Sequence, residues 1–434
     1  MNVARIWTRF PLCSTFLVLT FSAMAAQAAV QPVDRPIAGS YIVGLRADAG
    51  AQSIGAPRTT AQLATDLSGF YGGQTSKTFE HALQGFAFRG SSAAADNLSR
   101  DPRVAYVAQD GVVTLSTVQT PTPSWGLDRI DQREAELNTE YSYNSDGAGV
   151  DLYIVDTGIR STHVDFGGRV DTVTAFTAID DGLGTEDCLG HGTHVAGVAG
   201  GSTYGVAKGA NLHPVRVIGC DGMGSISNTI AGIDWITSRH QAAGTPRAVV
   251  NMSLYNGFSF PLEAAVETAT AAGVVFVAAA GNDGLDSPCY ISPQRMPAVI
   301  TVGASDEAGA RWANSNYGEC LDLFAPGTGI VSTFIRDDDD AVPMTGTSVA
   351  APHVAGTAVL VLAANPEATP EEVQALIVAG ATAGTLTDIG EGSPDLLLYS
   401  TIAGGVGAPV AIFSDGFESG DIDGWPIGDT LGAP

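Results

Sequence analysis

VDLYIVD, residues 150–156, is an unbroken apolar run opened and closed by polar residues, and four later runs share its character: NLHPVRVI (211–218), AVVNMSL (248–254), VVFVAAAG (274–281) and AVITVGA (298–304). A strand with one face in water alternates apolar and polar residues. A strand that is apolar at nearly every position is covered on both faces, as in a parallel sheet flanked by helices. Between these runs, residues 191–201, 226–243, 261–272 and 347–364 have helical length and composition. The alternation predicts an α/β fold: an open, mostly parallel sheet with helices on both faces and ligand-binding groups at the carboxyl ends of its strands.

Outward from this segment the chain changes character. Residues 39–112 read as a small α+β unit: SYIVGL (40–45) as a strand, TAQLATDLSGFYGG (60–73) as a helix, two strands around Thr78 and Phe86, SSAAADNLSR (91–100) as a helix, and a last strand VAYVAQD (104–110). VQTPTP (118–123) reads as an extended linker, which places a boundary between a unit at 29–117 and a larger one at 118–403. At the start, Arg5 and Arg9 precede the apolar run Phe16–Phe21 and the small-residue site Ala26-Gln27-Ala28. That is the plan of a secretory signal peptide over residues 1–28. The run is too short to span a bilayer, so a secreted, soluble product is expected. Residues 404–434 form a Gly-rich acidic tail.

The formal net charge is −26, and residues 118–403 carry most of it, with 34 acidic residues against 11 basic. Only Lys77 and Lys208 are lysines. A nucleic-acid partner would need a basic face, which this composition lacks. Once Cys13 leaves with the signal, Cys188, Cys220, Cys289 and Cys320 remain. In an oxidising compartment these make two disulfides, with three pairings open.

Four segments could carry chemistry. Asp156 ends the first buried strand, where a carboxylate is held rigidly, although an acid there also serves as a turn former. GHGTHVAGVAGG brings His191 and His194 onto neighbouring turns of one helix. They could share a metal or provide a general base. The zinc-protease spacing with its intervening Glu is absent, which favours the base. In GTSVAAPHVAG, Ser348 opens a helix, where a serine can be a cap or a nucleophile in the field of the helix N-terminus. Asn282 follows the buried strand VVFVAAA and delivers an amide to the same sheet edge.

Asp156, His191 and Ser348 occur in the order Asp…His…Ser on an α/β pattern, one of the known triad orders. YIVDTGI, GHGTHVAG, VAAAGN and GTSVAAPHVAG together resemble the subtilisin-like serine proteases. WGLDRIDQR, TYGVAKGANLHPVRV and NYGECLDLFAPG are similar to the proteinase K and aqualysin branch, over about Trp125 to Ile402. The resemblance implies a subtilisin-like three-layer fold with a mostly parallel central sheet, preceded by a small α+β inhibitor pro-domain. It also implies a serine endopeptidase in which Ser348 attacks the peptide carbonyl, His191 carries the proton, Asp156 holds His191, and Asn282 stabilises the oxyanion.

By the same resemblance a polypeptide substrate lies extended along Ser253, Leu254, Tyr255 and Gly257 on one side and Gly222 and Gly224 on the other. Tyr255 and Asn256 replace two of the family's usual glycines. Walls at 278–281, including Gly281, and 290–293 imply an apolar pocket for the residue before the scissile bond (P1) and broad specificity. The branch implies the disulfides Cys188–Cys220 and Cys289–Cys320. It also implies structural Ca2+ held by the carbonyls of Pro297 and Val299 with Asp322, and at a second site by Asp128 and Asp131. The acidic run Asp337–Asp340 could be another metal loop or a solvated one. The pro-domain is implied to inhibit its own enzyme until it is cut off near Ser116–Gln119. A monomer is expected. A binding-only relative with an altered substrate strand and a metallohydrolase built on His191 and His194 are the competing readings.

Overall fold

In the computed structural model, the described residues are 30–33, 36–50, 58–111, 117–243, 247–254, 257–285 and 288–401. The signal peptide, the acidic tail, and Tyr255 with Asn256 lie outside them. The chain divides into two compact units, with the main break between Asp110 and Gly111 and with Arg35–Ala38, at the start of the first strand, grouped with the second unit.

The first unit contains β1 (Pro36–Leu45), α1 (Thr60–Phe70), β2 (Gln74–Phe79), β3 (Gly85–Arg89), α2 (Ser92–Leu98) and β4 (Val104–Gly111), with the sheet order β2-β3-β1-β4. Helix α1 starts at a capping box, Thr59 accepting from Gln62 N–H while Gln62 returns a bond to Thr59 N–H. Leu63 and Leu67 of α1 and Leu98 of α2 pack with Val43, Phe86 and Phe88 of the sheet in one small core.

The second unit begins with β5 (Thr117–Gln119), α3 (Trp125–Ile130) and β6 (Tyr141–Tyr143). β5 pairs antiparallel with β6 from Thr117↔Tyr143 to Gln119↔Tyr141. Thr117 is therefore the first strand residue of this unit, and the start of the stretch read as linker is instead paired backbone. There follow β7 (Asp151–Asp156), β8 (Phe176–Thr177), α4 (His191–Gly200), β9 (Asn211–Arg216), α5 (Ile226–Ala243), β10 (Ala248–Met252), α6 (Phe260–Ala271), β11 (Val274–Ala279) and β12 (Val299–Ser305). The last elements are β13 (Leu323–Pro326), β14 (Ile330–Thr333), β15 (Ala341–Met344), α7 (Thr347–Ala364), α8 (Pro370–Gly380), β16 (Thr382–Ala383) and β17 (Leu396–Leu397).

The main sheet has the order β16-β17-β13-β12-β11-β10-β7-β9-β8. It is parallel except for the β16–β17 pair. Successive residues of each central strand enter opposite cores. Leu152 and Ile154 pack with Val195, Ala199, Ala355 and Ile377 of α4, α7 and α8, whereas Tyr153 and Val155 pack with Ile233, Ile236, Leu262 and Val266 of α5 and α6. Both faces are buried, which is why these strands read as unbroken apolar runs. Helix α7 is long and apolar enough to cross a bilayer, yet 83% of it is buried inside this unit as a core helix. From β7 the chain moves to β9 on one side and returns to β10 on the other. The crevice at this switch point, beyond the carboxyl ends of β7 and β10, is where open α/β sheets bind ligands.

Candidate active site

Asp156 is the last residue of β7 and has no exposed surface. Its carboxylate accepts Thr157 N–H at 2.7 Å and His191 Nδ1–H at 2.8 and 2.9 Å. A carboxylate can only accept, so the proton sits on Nδ1 and Nε2 is left with a free lone pair. Burial alone would pull the His191 pKa down. The charge and hydrogen bond of Asp156 more than reverse this, Asp187 adds to the effect, and the pKa stands above its ordinary value.

His191 is the first residue of α4, and the residue before it, Gly190, has φ +96°. A side chain at Gly190 would be strained, and its Cβ would lie 2.3 Å from the Phe334 ring. Helices α4 and α7 pack together in parallel. A Cβ on Gly356 would lie 2.7 Å from Ala199 O, and earlier along both helices His353 lies within electrostatic reach of His194. The parallel arrangement brings His191 and Ser348, each at the head of its helix, to one sheet edge. Ser348 Oγ makes no hydrogen bond among the described residues; such bonds often tighten only when substrate arrives.

Pro352 lies inside α7 and has no N–H to give the carbonyl four residues earlier, that of Ser348. Ser253 Oγ supplies the missing donor, bonding Ser348 O at 2.8 Å, and in turn accepts Asn251 Nδ2 at 2.9 Å. Asn282 is oriented by Thr347, whose N–H and hydroxyl both donate to Asn282 Oδ1 at 2.9 and 2.8 Å. That leaves Nδ2 as the free donor. A Cβ on Gly346 would sit 3.1 Å from Ser348 Oγ and 3.4 Å from Asn282 Nδ2, so the hydroxyl and the amide flank one small space. A cavity of about 340 Å³ is lined by His191, Thr157, Gly222, Gly224, Ser253 and Leu254 among others. It unites the two segments expected to bind substrate; Gly257 is described and exposed, while Tyr255 is not described.

His194 serves a different purpose. Its Nε2–H faces Ile330 O and Val342 O at 3.0 and 3.1 Å, tying the β14–β15 hairpin to α4, and burial lowers its pKa to about 4. His353 bonds Val349 O at 2.9 Å and is likewise lowered to about 4 by burial.

Three supporting residues were not singled out from sequence. Asp187 accepts five hydrogen bonds, from Thr157 Oγ1, Leu189 N, Gly190 N, Thr193 N and Thr193 Oγ1, and so joins the end of β7 to the start of α4. Its place four residues before His191 was the available signal. Arg216 is fully buried, donates to Thr157 O at 3.1 Å, pairs with Asp181, and lies 3.2 Å from Cys188 Sγ. Thr347, the orienter of Asn282, is the third. The structure joins Cys188 to Cys220 and Cys289 to Cys320, with Cα–Cα distances of 5.3 and 5.2 Å.

The residues expected to hold calcium fit a cation. Asp322 accepts Thr301 N–H and Gln374 Nε2–H and has no basic partner among the described residues; burial raises its pKa to about 6. Pro297 lines a neighbouring cavity of about 740 Å³ with Gln374, and Val299 opens β12. At the second place, Asp128 accepts Asn138 N–H and Thr139 N–H, and Asp131 Oδ2 accepts Ser142 N–H. Asp131 Oδ1 is buried with no partner, and burial, with the nearby charge of Asp128, raises its pKa to about 6. In the Asp337–Asp340 run, Asp338 is taken by Arg160 and Thr162, and Asp340 by Arg336.

A carboxylate–imidazole pair, a serine at a helix head and an oriented amide on one edge of a parallel sheet define a hydrolase of the serine-nucleophile class. The subtilase family profile matches residues 147–396, and the peptidase inhibitor I9 profile matches residues 40–116. An extracellular serine proteinase of Thermus sp. (strain Rt41A) is 47% identical over 76% of this chain and 79% of its own length. Alkaline serine exoprotease A of Vibrio alginolyticus is 43% identical over 85% of this chain and 68% of its own length. The crystal structure of a cold adapted subtilisin-like serine proteinase is similar at a TM-score of 0.60 and 44% identity, covering 65% of this chain and 99% of that one. The chain belongs to the subtilase family: it is a serine peptidase with an inhibitor-type pro-domain.

Proposed function

We propose that Asp156, His191 and Ser348 form the catalytic triad of a secreted endopeptidase and that Asn282 completes its oxyanion hole. The observation that carries this reading is the Asp156–His191 pair, which leaves His191 Nε2 as the base beside the helix that Ser348 opens. Ser348 Oγ attacks the peptide carbonyl as His191 Nε2 takes its proton. The oxyanion is met by Asn282 Nδ2 and the Ser348 N–H. The C–N bond then breaks, His191 returns the proton to the leaving amine, and water hydrolyses the acyl-enzyme by the same path.

Substrate lies between 253–257 and 222–226, with an apolar P1 side chain between the walls at 278–281 and 290–293. Residues 1–28 direct export. Residues 29–117 act as inhibitor and folding aid and are removed near Ser116–Gln119, in keeping with the end of the inhibitor match at residue 116. Residues 118–403 form the catalytic domain, a monomer in solution and not a membrane protein, with 404–434 as a tail. Calcium, held by Asp322 with the carbonyls of Pro297 and Val299 and by Asp128 with Asp131, neutralises buried carboxylates and takes no part in the chemistry.

The test is the chain from Ala29 beside its Ser348→Ala variant, followed by intact mass and by hydrolysis of a chromogenic peptide. Wild type is expected to release a segment ending near residue 117 and to cleave the peptide, and the variant to do neither. Equal behaviour of the two would remove Ser348 as nucleophile.

A further inference from the structure

β10 and β11 run side by side as far as the pair Met252↔Ala278. Beyond it Ala280 N–H turns to Val302 O of β12 at 2.9 Å, while residues 253–254 leave to form one side of the cleft. The slot that opens between them shares the 278–281 wall assigned above to the P1 side chain, and this inference rests on that assignment. One side chain crosses between its two walls. Gln294 is 1% exposed, and its Nε2 donates to Leu254 O at 3.1 Å and to Ala279 O at 2.9 Å.

Both partners are carbonyls, so only the amide nitrogen can face them and the orientation of the side chain is fixed. Gln294 Oε1 is left buried without a partner. An unpaired buried acceptor is destabilising, so a residue present only for packing would be better apolar. The backbone of Gln294 is also held, its carbonyl accepting Thr301 Oγ1 of β12 at 2.8 Å. Two oxygens bonded to one nitrogen at these distances lie no more than about 6 Å apart.

We propose that Gln294 is a specificity-determining positioning residue: by tying Leu254 O to Ala279 O it sets the width of the P1 slot and so the size of side chain it accepts. Without the tie, two carbonyls at the mouth of the sheet lose their donor, repel each other and separate to reach water. The slot widens. Large P1 side chains gain room and small ones lose contact. Gln294 bonds none of Ser348, His191 and Asn282, so any change that reaches the nucleophile through Ser253 is common to all substrates and the effect on P1 is read in the ratio of their kcat/KM values.

The experiment uses the processed enzyme, normalised by active-site titration, with peptides that differ only at P1. Gln294→Met keeps the volume and removes both donors. It is expected to raise the kcat/KM ratio of P1 Phe over P1 Ala about fivefold, somewhat less than the roughly 10- to 200-fold that a whole methylene commands in an apolar pocket. Inhibition constants of the matching peptide aldehydes should shift in the same direction. Thr301→Val, which releases the Gln294 backbone, is expected to move the ratio the same way even if Gln294→Met does not fold, and Thr301→Ser to restore it. A purely structural role would lower thermal stability and reduce every substrate alike, and a ratio unchanged from wild type would overturn the proposal. A wild type that cleaves all P1 residues equally would instead refute the slot assignment beneath it.

Discussion

Asp187→Asn separates the electrostatic part of the site from its framework. Asp187 is buried, and its two oxygens divide the work: Oδ1 takes Thr157 Oγ1, Leu189 N and Gly190 N, and Oδ2 takes Thr193 N and Thr193 Oγ1. An asparagine oxygen can keep the first set. The Thr193 hydroxyl can rotate to accept from the new amide, but the Thr193 N–H then faces another donor. One orphaned buried donor costs ~1–3 kcal/mol, and at ~2–4 °C per kcal/mol for a domain of this size the melting temperature should fall by roughly 2–12 °C. The charge has a separate consequence. Asp187 helps hold the His191 pKa above its ordinary value, and catalysis needs His191 neutral. Removing the charge lowers that pKa, so the acid limb of kcat/KM against pH should move to lower pH. Stopped assays from pH 5 to 9, with melting curves in a Ser348→Ala background to prevent self-digestion, measure both. An acid limb that stays in place or moves to higher pH would refute the electrostatic argument, and an unchanged melting temperature would refute the account of the framework.

Asn282→Ala should lower kcat by ~10²–10³ with little change in KM, because its amide meets charge that exists only in the transition state; a loss confined to KM would contradict that role. His194 and His353 have folded pKa values of about 4, below the ordinary imidazole value of 6.5. The unfolded chain therefore binds more protons between those limits, and stability present above pH 6.5 should decline as pH falls to 4, by up to ~3 kcal/mol for each histidine. Melting temperatures of Ser348→Ala that stay flat across this window would show that the two imidazoles are not buried neutral. Calcium should raise the melting temperature of Ser348→Ala, by the equivalent of about 4 kcal/mol at a thousandfold excess over Kd. Asp131→Asn should remove part of that rise, and an identical calcium response in the variant would exclude Asp131 as a ligand.

The sequence is most informative where burial is extreme. β7, β9, β10, β11 and β12, and helices α4 to α7, fall within a few residues of the expected runs because both faces of the sheet are covered and most positions there are apolar. The short pairs β5–β6 and β14–β15 were not legible. Three or four residues carry too little pattern, and what holds the second hairpin is a side chain from elsewhere, His194 reaching Ile330 O and Val342 O. The site divides in the same way. Asp156, His191, Asn282 and Ser348 sit in local motifs, each at the end of a strand or the start of a helix. Their supports act across long separations, 30 residues from Asp187 to Thr157, 59 from Arg216 to Thr157 and 40 from Gln294 to Leu254. For Arg216 and Gln294 no local pattern marks a buried polar residue whose partners are backbone carbonyls so far away.

Those supports also connect the cleft to the chemistry. The carbonyl that Pro352 leaves free belongs to Ser348, and the group that satisfies it, Ser253, lies on the strand along which substrate is proposed to pair. Asn251, at the buried end of that strand, donates to the same Ser253 oxygen. A peptide aligned on residues 253–257 is thereby registered against the head of α7 through one hydrogen bond. On the opposite side, Thr347 fixes Asn282 through its N–H and hydroxyl and receives Gly281 N–H, so the residue preceding the nucleophile also sets the amide that meets the oxyanion. The nucleophile, the amide and the substrate strand are consequently one framework. A displacement of any of the three shifts the others, so substrate contacts far from the scissile bond can influence turnover as well as binding.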